Sequence, residues 1–173
     1  MRNPLSERLR VAHLSPSRDN AFDLEPDADA RNRIAGRLEL LELPRMRFTG
    51  AIRASGADEW ALNGTLSATV VQPCVVTLEP VQSEISEEVA LIFSPHVTAP
   101  EEDEIEMGDD TIEPLGQSID LGAIAIEALS LTLPTHPRAA GAELPDTATD
   151  DDDAEDERPK PFAGLAEMMK KND

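Results

Sequence analysis

A chain of 173 residues has room for one domain of ordinary size with appendages. Its 35 Asp and Glu against 15 Lys and Arg leave a formal net charge of −20, which repels phosphate backbones and attracts basic proteins. One cysteine, Cys74, excludes an internal disulfide framework and any metal site built from several thiolates, and no stretch approaches the roughly 20 apolar residues of a membrane span.

The charge is unevenly placed. Residues 1–53 carry ten Arg and eight acids, residues 54–137 carry sixteen acids and no Lys or Arg, and residues 138–173 carry five bases and eleven acids. Met1 to His13 holds Arg2, Glu7, Arg8 and Arg10 with no apolar run, so it does not read as a secretory signal, and a cytoplasmic protein is expected.

In chain order, Arg8 to Leu14 reads as a short extended piece, followed by a loop with Pro16 and Pro26. Asp27 to Leu41 reads as a helix. Asp27 and Asp29 can cap its first turn, and Ile34, Leu38 and Leu41 recur on one face. Pro44 breaks that period. Met46, Phe48 and Ile52 then share one face of a strand, with Arg45, Arg47 and Arg53 on or near the other. Ser55 to Asp58 is a turn, and Trp60, Leu62, Leu66, Ala68 and Val70 form one face of a second strand. Val71 to Val76, interrupted by Pro73 and closed at Glu79-Pro80, reads as a third strand. Ile85, Val89, Leu91 and Phe93 mark a fourth.

Residues 99–118 are acid-rich and read as a mobile loop. Ser118 or Asp120 can cap a second helix through Leu121, Ile124, Ala128 and Leu129, with an extended exit at Leu131 to Pro134. A patternless acidic stretch follows. Pro161 to Lys171 then offers Phe162, Leu165 and Met169 on one face of a short amphipathic helix.

Together these elements predict an α+β fold: an antiparallel sheet of about four to six strands with two or three helices. One domain is expected over residues 1–144, including the mobile acidic loop at 99–118. A disordered acidic linker is expected at 145–160 and a short amphipathic helix at 161–173.

Chemistry is sparse. His13, His96 and His136 lack metal-ligand spacing, and there is no nucleophile elbow, phosphate-binding glycine loop or zincin helix motif. The run from Asp151 to Phe162 fails as a calcium loop, because Asp156 replaces the turn glycine and Phe162 the bidentate Glu. Asn63-Gly64-Thr65 fits a glycosylation triplet but lacks the secretory context. Cys74 reads as a small buried hydrophobe before a reactive thiol. Glu127, in an otherwise apolar helix, is either solvated or a partner-binding carboxylate.

The run Val71-Gln72-Pro73-Cys74-Val75-Val76-Thr77-Leu78-Glu79-Pro80-Val81 resembles the central signature of the YceD family, the large ribosomal RNA subunit accumulation proteins. Ile119-Asp120-Leu121-Gly122 with Glu127, Leu129, Leu131 and Leu133-Pro134 is similar to a second family motif, and Pro161-Phe162-Ala163 with Leu165 to a third. The resemblance runs from about residue 8 to 171 and marks Cys74, Leu78, Pro80, Asp120, Leu121, Gly122, Glu127, Pro134, Pro161 and Phe162 as family-motif residues. It implies a cytoplasmic or organellar factor needed for accumulation of large-subunit (23S-type) rRNA, with no established catalysis. Many members carry C-x-x-C at the central motif and further cysteines after the Leu-Pro. Here Thr77 stands where the second cysteine would be and no cysteine follows Pro134, so any metal ligands of relatives are missing.

The expectation is therefore a non-enzymatic ribosome-biogenesis factor, with no catalytic residues, metal or cofactor and no small-molecule substrate or membrane. Its partner would be a basic ribosomal or assembly protein, with rRNA contacted directly or indirectly. Arg31, Arg33, Arg37, Arg45, Arg47 and Arg53 are the candidate RNA or partner contacts, although a purely solubilising role for them weighs somewhat more. The alternative is an acidic adaptor or chaperone-like module for a basic client outside ribosome assembly.

Overall fold

Alternation of apolar and polar residues dominates the middle of the chain, and long strands follow from it. The computed structural model describes residues 5, 7–97 and 111–143. All but Glu143 fall in one unit, Met1–Ala142. The linker at 145–160, the C-terminal helix with Pro161 and Phe162, and most of the 99–118 loop lie outside the described residues.

In chain order the elements are β1 (Arg8–Arg10), a 3₁₀ turn (Val11–His13), β2 (Asn20–Leu24), α1 (Ala28–Arg37), β3 (Glu42–Ser55), β4 (Glu59–Pro73), β5 (Pro80–Ser94), β6 (Ile112–Pro114), β7 (Ser118–Asp120) and α2 (Leu121–Thr132). Five strands form one sheet in the order β2-β3-β4-β5-β6. All its pairs are antiparallel except the parallel pair of β5 and β6. β1 and β7 pair separately, antiparallel. The α+β architecture is as expected.

One sheet face is buried. Met46, Phe48 and Ile52 of β3 lie beside Trp60, Leu62, Leu66, Ala68 and Val70 of β4, and all are buried. Ala30, Ile34 and Ala35 of α1 and Leu121, Ala125, Ile126 and Leu129 of α2 complete this core. Each fully buried Leu or Ile contributes about 2 kcal/mol of transfer free energy. With few aromatics, Phe22 and Phe48 carry the only ring pair among the described residues, with centroids 4.9 Å apart. The two rings cover the cross-strand pair Gly50 and Gly64, where a Cβ would collide with Phe22 at Gly50 and with Phe48 at Gly64.

Several boundaries differ from the sequence expectation, each for a local reason. The first helix stops at Arg37, ahead of Leu41. Glu39 adopts a left-handed φ of 56°, and the Leu40 N–H donates back to the Ala35 carbonyl at 2.9 Å, which closes the helix end before Pro44 is reached. Leu40 is thereby buried and Leu41 left exposed. Pro44 lies inside β3, at a shift of register between Glu42 and Arg45 that turns both Leu43 and Met46 inward.

Val71 to Val76 is not a separate strand. β4 runs on to Pro73, Cys74 to Glu79 make the turn, and Pro80 opens β5, so three long strands occupy the span expected to hold about four. The loop with Pro16 and Pro26 contains β2, paired to β3 from Asn20↔Ile52 to Leu24↔Phe48. β6 (Ile112–Pro114) and the first residue of β7, Ser118, fall within the stretch expected as loop. Helix α2 continues through Thr132, whose hydroxyl donates to the Ala128 carbonyl at 2.8 Å.

Candidate interaction surface

The six candidate arginines lie on two elements, Arg31, Arg33 and Arg37 on α1 and Arg45, Arg47 and Arg53 on β3. The strand arginines project from the polar face of the sheet. There β2 and the residue just before it supply acids that the sequence pattern did not connect to them. Arg47 makes a two-pronged pair with Asp23, and Arg53 donates to Asp19 at 2.6 Å. The Arg47 bond holds the Asp23 carboxyl below its usual pKa, and Asp23 raises that of Arg47 in return. Missing β2 in the sequence meant missing these counter-charges.

Arg31 donates to the Pro26 carbonyl at 2.7 Å and shares a shallow cavity of 470 Å³ with Arg45 and Arg47. Glu25 and Glu84 line the same cavity, so it carries both signs of charge. Arg33 is exposed on α1. Arg37 is elsewhere, in a 580 Å³ open cavity with Arg8, Asp120, Glu127 and Leu131. The structure therefore joins three of the six arginines and separates the others.

The central motif forms a tight knuckle. Cys74 donates its N–H to the Glu79 carbonyl at 2.7 Å, and the Leu78 N–H donates to the Cys74 carbonyl at 3.0 Å. The Cys74 Sγ is fully buried and accepts N–H groups from Val76 and Thr77 at 3.4 Å and from Ala139 at 3.3 Å. The Thr77 side chain, then the Ala139 and Thr77 N–H groups, pull the thiol pKa down to about 6 against the opposing effect of burial. Cys74 is thus buried as expected, but it acts as an acceptor that ties the segment after α2 to the β4–β5 turn. The Val75 N–H to the Pro137 carbonyl, at 2.9 Å, and Gln72 Nε2 to the Pro134 carbonyl, at 3.2 Å, close the same junction. Leu78 sits on this turn at φ 62° and 76% exposed, and Pro80 pairs with Pro73 at its base.

The second motif builds the start of α2. Ile119 and Leu121 are buried, and Asp120 caps the helix by accepting the Ala123 N–H at 3.0 Å while pairing with Arg8 at 2.9 Å. Gly122 is buried against the Leu5 backbone, where a Cβ would lie 1.8 Å from the Leu5 carbonyl oxygen. Glu127 is exposed on the far face of α2, and it lines the cavity with Arg37.

Family comparison decides the lineage of this arrangement. The family described as "Large ribosomal RNA subunit accumulation protein YceD" matches residues 62–169, which takes in most of β4, the knuckle, β5 and α2. The chain belongs to the YceD family. No curated protein and no solved structure matches it. The YceD description names accumulation of the large ribosomal RNA subunit and no reaction. Both motif runs that lie within the described residues have physical roles here: the central one makes the knuckle and the second caps and docks α2. At the knuckle the residues do not fit a metal. Thr77 and Ala139 offer a side-chain hydroxyl and an N–H, and no group of three or more His, Cys, Asp or Glu among the described residues is placed to hold an ion. No helix among the described residues is long and apolar enough to cross a membrane.

Proposed function

We propose that this chain is a non-enzymatic factor of cytoplasmic ribosome assembly that supports accumulation of large-subunit rRNA by binding a basic ribosomal or assembly protein. The family match carries the process. The charge distribution supports the partner class: residues 54–137, which supply β4, β5 and α2, contain sixteen acids and no Lys or Arg. A surface of that sign speeds encounter with cationic proteins and opposes phosphate backbones. Direct rRNA contact is the secondary element of the proposal and belongs to Arg31 and Arg45. Arg47 and Arg53 contribute less, because Asp23 and Asp19 already offset their charge.

Removing the protein from cells and measuring both rRNA species tests the process. Large-subunit rRNA falls relative to small-subunit rRNA and recovers when the chain is restored. Unchanged or equally lowered levels of both species would refute the proposal.

A further inference from the structure

The ladder between β4 and β5 keeps one register throughout, from Trp60↔Phe93 to Pro73↔Pro80. In such an antiparallel pair, alternate residues turn both backbone groups toward the neighbour and the rest turn both away. Two bonds fix which are which. The Cys74 N–H donates across the turn to the Glu79 carbonyl at 2.7 Å, and the Ile92 N–H donates away from β4, to the Thr111 carbonyl at 2.8 Å. Odd-numbered residues of β5 therefore bond to β4. Gln82, Glu84, Ser86, Glu88 and Ala90 point their N–H and C=O groups outward, and all five are exposed. β6 covers β5 only at Ile92, Phe93 and Ser94, and among the described residues no strand lies beside 80–91.

The free stretch from Gln82 to Ala90 is about 30 Å long. Unpaired edges of this length are templates for strand addition unless charge or proline defends them. Here the defence has one sign. Glu84 and Glu88 lie on the polar face of the sheet on either side of Ser86, and Glu87, opposite Leu66 in register, is exposed on the other face. Glu84 is held in place by the Thr69 hydroxyl at 3.0 and 3.1 Å. The nearest cations in that row are on β3, two strands away, where Arg45 pairs with Thr69.

We propose that the outer edge of β5, residues 82–90, accepts an extended basic segment of a protein partner as an added strand. The inference deepens the proposed function and rests on its basic-partner reading. Backbone groups of Gln82, Glu84, Ser86, Glu88 and Ala90 supply the hydrogen bonds. Glu84 and Glu88 select Lys or Arg at two same-face positions four residues apart in the guest strand, and Glu87 favours a base on the opposite face. The Ser86-centred pairing with a second copy of this chain is disfavoured on charge. Antiparallel self-pairing centred on Ser86 sets Glu84 against Glu88 twice, and like charges directly opposite are destabilising.

The test uses the full chain and a synthetic strand peptide of alternating Thr and Val with two Lys four positions apart. Amide hydrogen exchange should slow at Glu84, Ser86 and Glu88 when the peptide is added. Ser86→Pro removes an outward N–H that no strand among the described residues uses, so the β4 ladder persists and peptide affinity falls about tenfold or more. E84K/E88K should also abolish low-salt binding, and it decides alone if circular dichroism shows the proline variant unfolded. Protection elsewhere on the chain, or wild-type affinity in the folded variants, overturns the edge assignment and leaves the basic-partner reading standing. Failure of the chain to bind both this peptide and isolated basic ribosomal proteins overturns that reading as well.

Discussion

Three backbone N–H groups converge on the Cys74 thiol, and its ionisation is therefore coupled to folding. The folded pKa of about 6 lies below the ordinary value of 9.0. Between those values the unfolded chain holds the proton and the folded chain does not, so stability rises with pH across that window. The contribution is complete above about pH 9 and lost below about pH 6. The difference in melting temperature between the natural chain and Cys74→Ala should accordingly widen from pH 6 to pH 9, and a flat difference would contradict it. The sequence showed no base or cation beside Cys74, and it could not show this environment. Its donors are backbone groups, and Ala139 is 65 residues away. Leu78 is a second case: a left-handed φ of 62° costs a leucine about 1–3 kcal/mol, and only the turn geometry reveals it.

At the scale of elements, the two helices carry glycines of opposite consequence. Gly36 in α1 has nothing within 4 Å of where a Cβ would stand, whereas Gly122 in α2 is packed on the Leu5 carbonyl. Gly36→Ala should stabilise by about 1 kcal/mol, from helix propensity alone. Gly122→Ala should cost about 3 kcal/mol, because the backbone at Leu5 must move off the helix. Denaturant unfolding of the two variants measures both, and equal effects would contradict the packing described. The β3–β4 hairpin and the start of α2 were legible because period and cap signals agree there: Trp60 to Val70 alternate, and Asp120 precedes an apolar run. β2 was not legible. Asn20 to Leu24 is only five residues long, carries Asn and Asp, and lies between prolines. Pro73 and Pro80 looked like strand breaks. They face each other at a pair that exchanges no ladder bonds, so the missing N–H groups cost the β4–β5 ladder nothing. The same blind spot hid the counter-charges of Arg47 and Arg53, since Asp23 and Asp19 reach them only through the β2–β3 pairing.

For the whole molecule, charge and topology point the same way. The half of the chain without Lys or Arg supplies β4, β5 and α2, and among the described residues the outer edge of β5 is acidic with unpaired backbone groups. In the arginine-bearing third, Arg47 and Arg53 meet acids of the same third, Asp23 and Asp19, and Arg8 meets Asp120. The proposal of a basic partner starts from composition; the face proposed to hold it could not be read there, because it depends on which side of β5 is uncovered among the described residues. The central claim is that the chain works by holding a basic protein of the large-subunit assembly line. Zero-length carbodiimide cross-linking in cells, which joins carboxylates to lysines, tests it most directly. The account predicts links from Glu84, Glu87 or Glu88 to lysines of a large-subunit ribosomal or assembly protein, and links to no such protein would contradict it.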